Sequence, residues 1–126
     1  MNILAIDYGA KKMGLAWVNE DLGVVLPYGV LVHDENKKKN SELLALIASE
    51  KVDKIVIGLP LGLDSEENKN TQKIRAFAAE LAQDCGLPID FADERYTSYE
   101  ADSMGGAATR DEKSAMIILQ SYLSER

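Results

Sequence analysis

MNILAIDYGAKKMGLA, residues 1–16, opens with Ile3-Leu4-Ala5-Ile6, an unbroken apolar run that fits a strand buried on both faces in the middle of an α/β sheet. The run ends in Asp7. A short polar turn, Tyr8-Gly9-Ala10-Lys11-Lys12, leads into a second apolar run from Met13 to Val18 that contains Gly14. A carboxylate at the end of a central strand, beside a tight hairpin, is held rigidly in one place. Glycines at 9 and 14 allow a backbone or a bulky phosphate to approach it closely. Asp7 is therefore where chemistry is expected.

The rest of the chain repeats the pattern of strand ends that carry polar or small residues. Val24–Val32 reads as a third strand, with Pro27 and Gly29 pointing to an edge position or a bulge. Three strands joined by short turns imply an antiparallel meander. A polar loop from His33 to Asn40 carries Lys37-Lys38-Lys39, read as a solvated lysine run with a phosphate-contacting patch as the alternative. His33, the single histidine, has no partner pattern nearby and is given no role. Ser41 can cap a helix with Leu43, Leu44, Ile47 and Ala48 at helical spacing. Ile55-Val56-Ile57 again reads as a buried parallel strand, ending in the Gly- and Pro-rich stretch from Gly58 through Pro60 and Gly62 to Ser65. A helix from about Glu67 to Asp84 follows, with a stripe of Ile74, Phe77, Ala78, Leu81, Ala82 and Cys85, and with Gly86 and Pro88 as its stop. Ile89–Ala92 forms a last short strand running into Asp93-Glu94-Arg95. Thr97 or Ser98 starts a short helix to about Met104, Gly105–Ala108 is a small-residue link, and Asp111 opens a final helix whose inner face carries Ala115, Ile118, Leu119, Tyr122 and Leu123.

The order βββαβαβαα predicts a single α/β domain over residues 1–126: a mixed central sheet of roughly five strands, the first three antiparallel, with helices on both faces. Right-handed crossovers place the strands ending at Gly58 and Asp93 beside the Asp7 strand. In such sheets ligands bind beyond the strand ends, where the topology switches. Three strand ends, carrying Asp7, Gly58 and Asp93-Glu94, converge there.

Composition bounds the function. Hydrophobic residues at 46% and charged residues at 28% are globular values. No run approaches the ~20 apolar residues of a membrane span, and Asp7 interrupts any secretory-type start, so no membrane partner and a cytoplasmic location are expected. The single cysteine, Cys85, excludes an internal disulfide and a cysteine-based zinc site and reads as a core residue. The net charge of −7, from 14 basic and 21 acidic residues, argues against coating nucleic acid by bulk electrostatics but leaves room for a local basic rim.

Asp7, Glu94 and Asp111 fall at the same predicted sheet edge. Three carboxylates together repel one another unless a cation is shared among them. Mg²⁺ takes oxygen ligands, keeps waters, and prefers sites it shares with substrate phosphates. Two such ions about 4 Å apart can stabilise both the attacking and the leaving oxygen of a phosphodiester. Taken singly, the glycine-flanked Asp7 could sit in a plain turn, Asp93-Glu94-Arg95 could form a surface salt bridge, and Asp111 could merely cap its helix.

The chain resembles the YqgF family, also called RuvX, a branch of the RNase H-like fold, over essentially its whole length. The resemblance rests on IDYGAKKMGLA at 6–16, VIGLPL at 56–61, DERYTS at 93–98 with Ala101, and RDxxSAxxILQSY at 110–122. It implies a nuclease dependent on Mg²⁺ or Mn²⁺, two ions held by Asp7, Glu94 and Asp111, with water attacking phosphorus to leave a 5′-phosphate and a 3′-hydroxyl. The implied substrate is structured nucleic acid: the 5′ end of precursor 16S rRNA, or, on the older proposal, four-way-junction DNA. Lys12, Arg95 and Arg110 would hold flanking phosphates, with a structural pairing of Arg95 to an acid as the alternative, and Gly9, Gly58 and Pro60 would shape the groove. The 105–109 link would close over substrate. The chain departs from the family pattern at Lys12, where an arginine is usual, and at Asp64-Ser65, where Asp-Gly is usual.

Two rival readings remain. A binding module acting on ribosome precursors, with turnover lost, would suit the acidic net charge. The glycine-flanked Asp7 also fits the phosphate loop of an actin-like kinase, but those proteins close two such domains around a nucleotide and this length supplies one. Oligomeric state, monomer or weak dimer, is left open by the sequence.

Overall fold

A computed structural model describes residues 1–33, 40–60, 68–93 and 109–124. Three strands, β1 (Asn2–Tyr8), β2 (Lys12–Asn19) and β3 (Val25–Val32), form the antiparallel meander. Helix α1 (Ser41–Ser49), strand β4 (Lys54–Leu59), helix α2 (Lys69–Cys85), strand β5 (Ile89–Asp93) and helix α3 (Arg110–Ser124) follow. The sheet order is β3-β2-β1-β4-β5, with β4 parallel to both β1 and β5. The mixed α/β architecture expected from the sequence is the one observed.

Strand alternation divides the core between the two faces. Leu4 and Ile6 of β1, Leu15 of β2 and Ile55 and Ile57 of β4 point towards α1 and α2, where they meet Leu43, Ile47, Ile74, Phe77 and Leu81. Ile3, Ala5, Ala16, Val18, Val56 and Ala92 point the other way and meet Ala115, Ile118 and Leu119 of α3. β1 and β4 are buried on both faces, which is why their sequences read as continuous apolar runs. Alanines at 5, 16 and 92 on this face let α3 lie close to the strands.

β3 is an edge strand, and its pairing with β2 slips between Leu15 and Ala16, opposite Gly29 and Pro27. Gly29 has φ 135°, a conformation only glycine adopts without strain. Pro27 and Gly29 pointed to an edge position or a bulge, and β3 has both. Two helix starts differ from expectation. Asn40, not Ser41, precedes α1: its φ of 62° turns the chain, and its carbonyl accepts from Leu44 N at 2.8 Å. Helix α2 starts after Asn68, two residues later than expected, because Asn68 and Thr71 form a reciprocal capping box. Gly86, at φ 71°, ends α2 as its position implied. Cys85 is half-buried against the α1–α2 core. The lysine run at 37–39, the 61–67 stretch, the 97–104 helix and the 105–108 link lie outside the described residues. Among the described residues, no helix is long and apolar enough to cross a membrane.

Candidate active site

Asp7 lies next to the end of β1, on the side that Ile3 and Ala5 share with α3. Its cross-strand partner is Gly14. Paired residues on neighbouring antiparallel strands sit about 5 Å apart and face the same way, so Gly14 presents its bare Cα beside the Asp7 carboxylate. The first turn of α3 fills that space. A Cβ on Gly14 would collide with the Asp111 carbonyl and come within 2.8 Å of the Asp111 Cβ. Gly14 is therefore the contact point that lets α3 set Asp111 down next to Asp7. The sequence reading foresaw a close approach at this glycine; the approaching group is the backbone of a helix distant in sequence.

The bland account of Asp111, that it caps its helix, does not describe what is seen. Thr109 Oγ1 accepts from Glu112 N at 3.2 Å, and Glu112 Oε1 accepts from Thr109 N at 3.0 Å. That capping box leaves the Asp111 carboxylate directed elsewhere. It meets Lys12, whose Nζ lies 3.0 Å from Asp111 Oδ2. Lys12 shares the α3 side of β2 with Gly14, two residues on. Its side chain is 54% exposed and that of Asp111 30%.

The turn between β1 and β2 is fixed from three directions. Gly9 N donates to Lys12 O at 3.0 Å, and a Cβ on Gly9 would lie 2.7 Å from that oxygen, so glycine is required there for space. His33 N donates to Lys11 O at 2.9 Å, and His33 Nε2 bonds Gly9 O at 2.8 Å. Tyr8 stacks on Phe77 of α2, ring centroids 4.4 Å apart, and tilts against His33 at 5.2 Å. His33 had been given no role from the sequence; it braces the turn next to Asp7. Nothing local to His33 signals this, because its partner is a backbone carbonyl in another hairpin.

Gly58 of β4 is buried, opposite Ala92 of β5, and the Ile6–Ile57 pairing places it alongside Asp7. Pro60 contributes its carbonyl, which accepts from Asn68 Nδ2 at 3.1 Å and ties the end of β4 to the cap of α2. Arg110 is exposed at the first position of α3. Glu94 and Arg95 lie outside the described residues, and among those described no three His, Cys, Asp or Glu side chains gather as a metal cage. The structure thus brings together Asp7, Asp111, Lys12 and the glycines at 9, 14 and 58.

The far end of α3 is fastened separately. Tyr122 OH donates to Asp90 Oδ2 at 2.6 Å, and Lys54 Nζ reaches the same oxygen at 2.8 Å while lying 5.2 Å from the Tyr122 ring centroid. The Lys54 ammonium, then the Tyr122 hydroxyl, hold the Asp90 carboxyl below the usual carboxylate range. The Lys54 amine is raised in turn, chiefly by Asp90.

Solved structures share this architecture. Thermus thermophilus RuvC in complex with a Holliday junction substrate superposes with a TM-score of 0.66 at 13% identity, covering 98% of this chain and 93% of that one. The fowlpox virus Holliday junction resolvase gives 0.63 at 13% identity, with both chains covered completely. The fold is that of the RNase H-like class to which these resolvases belong. Sequence comparison narrows the class further. The model of the RuvX family, described as Holliday junction resolvase, matches residues 1–125. A protein of Maridesulfovibrio salexigens named "Putative pre-16S rRNA nuclease" is 41% identical, with 98% of each chain covered. A protein of the same name from Opitutus terrae is 34% identical over 100% of this chain and 93% of its own. The chain belongs to the RuvX family, and its enzyme class is nuclease.

Proposed function

We propose that the protein hydrolyses phosphodiester bonds in structured RNA, with the 5′ end of precursor 16S rRNA as its substrate, at a site built on Asp7 and Asp111. The observation that carries this reading is that Gly14 pairs with Asp7 across the hairpin and also receives the Asp111 turn of α3. The names of the full-length relatives favour RNA. The family description and the shared fold keep branched DNA as the second reading.

The residues fit a hard divalent cation. The donors are carboxylate oxygens, and Asp111 already holds a cationic group, the Lys12 ammonium, at 3.0 Å. Asp7 and Asp111 would hold Mg²⁺ or Mn²⁺, with Glu94 as the third acid. Bound there, two ions would supply Lewis acidity to the scissile phosphate and lower the pKa of the attacking water. The chain's own part is placement. Asp7 is fixed by a central strand and Asp111 by a capped helix turn seated on Gly14. Gly9 and Gly58 keep the floor low enough for a sugar–phosphate backbone, and Pro60 holds the end of β4 against α2. Arg110 and Arg95 would hold flanking phosphates. Such a protein works as one domain in the cytoplasm.

The test is a comparison of substrates. A labelled precursor 16S 5′ fragment and a four-way DNA junction are each incubated with protein and Mn²⁺ or Mg²⁺. Cleavage of the RNA, with the junction untouched, is the expected result. Cutting of the junction alone would overturn the RNA assignment, and binding of RNA without cutting would favour a ribosome-precursor adaptor.

A further inference from the structure

The Lys12–Asp111 ion pair is an interaction inside the site, among the described residues, to which the hydrolytic reading gives no role. Its setting is unequal. Asp111 cannot retreat: its backbone rests on Gly14 and its helix turn is closed by the Thr109–Glu112 box. The backbone of Lys12 cannot retreat either, since its carbonyl is bonded to Gly9 N and the adjoining Lys11 carbonyl to His33 N. Only the Lys12 side chain, four methylenes long and more than half exposed, is able to move.

We propose that Lys12 is a resident counter-cation: its ammonium occupies Asp111 Oδ2 in the metal-free protein, and a divalent ion takes that oxygen only by displacing it. The inference rests on the reading of Asp111 as a metal ligand. A lysine ammonium has three donors, no acceptor and a fixed positive charge. It neutralises Asp111 when no metal is present, and it repels a divalent ion approaching the same oxygen. Displaced, the ammonium swings out from β2 on the α3 side, where a substrate phosphate next to the metal would receive it. Metal loading and substrate capture are coupled through this one side chain: the ion releases a lysine, and the lysine adds a phosphate contact. An arginine at this position would hold Asp111 with a planar fork and release it less readily.

The experiment is Mn²⁺ binding at constant ionic strength, followed by the free-ion electron paramagnetic resonance signal, for wild type, Lys12→Gln, Lys12→Arg, Lys11→Gln and Asp111→Asn. Lys11→Gln removes the same charge one residue away and subtracts the general electrostatic effect. Breaking an exposed ion pair is expected to tighten Mn²⁺ by roughly two- to fivefold in Lys12→Gln beyond any change in Lys11→Gln. Lys12→Arg is expected to bind no more tightly than wild type. In a parallel titration with diamagnetic Mg²⁺, the Lys12 side-chain NMR signals shift and those of Lys11 do not. If Asp111→Asn weakens Mn²⁺ binding while Lys12→Gln matches Lys11→Gln, the exchange is refuted and the metal site stands. If Asp111→Asn binds Mn²⁺ as wild type does, the metal reading and the exchange both fall.

Discussion

Replacing Gly14 by alanine places one methyl group where α3 rests on the sheet. The added carbon would sit 2.8 Å from the Asp111 Cβ and overlap the Asp111 carbonyl. Carbon atoms prefer 3.5–4.0 Å, so the side-chain contact alone demands a shift of about 1 Å, and the carbonyl demands more. Neither partner is the loose end of a flexible side chain. The helix must lift, and in lifting it separates Ala115, Ile118 and Leu119, each at most 1% exposed, from Ala5, Ala16 and Val56. Overpacking of this kind costs about 1–3 kcal/mol, and the upper end is expected because backbone is involved. For a chain of this size that lowers Tm by about 10 °C. A displacement near 1 Å of a catalytic carboxylate also costs about a hundredfold in rate, well beyond what the stability loss explains. Gly23→Ala is the control: Gly23 has φ 72° but nothing within 4 Å, so only about 1 kcal/mol of backbone strain is expected, with full activity. Thermal denaturation and RNA cleavage at 20 °C measure both effects. A Gly14→Ala protein with wild-type Tm and wild-type cleavage would refute the claim that this glycine seats Asp111 beside Asp7.

Two further changes test parts of the frame away from the site. Asn68→Ala removes the side-chain half of the capping box on α2 and the donor to Pro60 O, and should cost about 1 kcal/mol in chemical denaturation; no measurable loss would mean the cap does not stabilise the helix. Asp90 titrates below its usual range because Lys54 and Tyr122 favour its charged form, so its contribution is present above the unfolded value near ~3.9 and is lost as pH falls through the lower folded value. Asp90→Asn should therefore be less stable than wild type at pH 7, by about 1 kcal/mol for a partly exposed pair, and the gap should close in strong acid; a gap unchanged at pH 2.5 would contradict the assignment.

The framework was legible because burial writes itself locally. Ile3–Ile6 and Ile55–Ile57 read as two-faced strands, and Pro27 with Gly29 announced an edge or a bulge. The α2 stripe and its Gly86 stop were equally plain, since helix periodicity and a left-handed cap are properties of neighbouring residues. The candidate acids were legible as a list, but the contacts that bring Asp111 onto Gly14 beside β1 were not. Gly14 looks like any strand glycine until α3 arrives, and His33 looks unpartnered until its hairpin folds against Gly9. Thr109-x-x-Glu112 was readable as a capping box, and it would have freed Asp111 from the capping role at once. The Asn40 start of α1 depends on a left-handed turn that Ser41, a better cap by residue type, concealed.

The most direct measurement is metal-dependent cleavage of the precursor 16S 5′ fragment by wild type, Asp7→Asn and Asp111→Asn, each first shown to be folded by its Tm. Both substitutions remove a charge while preserving shape, and loss of a metal-holding carboxylate is expected to cost at least about a hundredfold in rate. Cleavage by wild type that needs added Mn²⁺ or Mg²⁺, and that falls in both variants without a matching loss of Tm, is the predicted result. Undiminished cleavage by a folded Asp7→Asn protein would contradict the account at its centre.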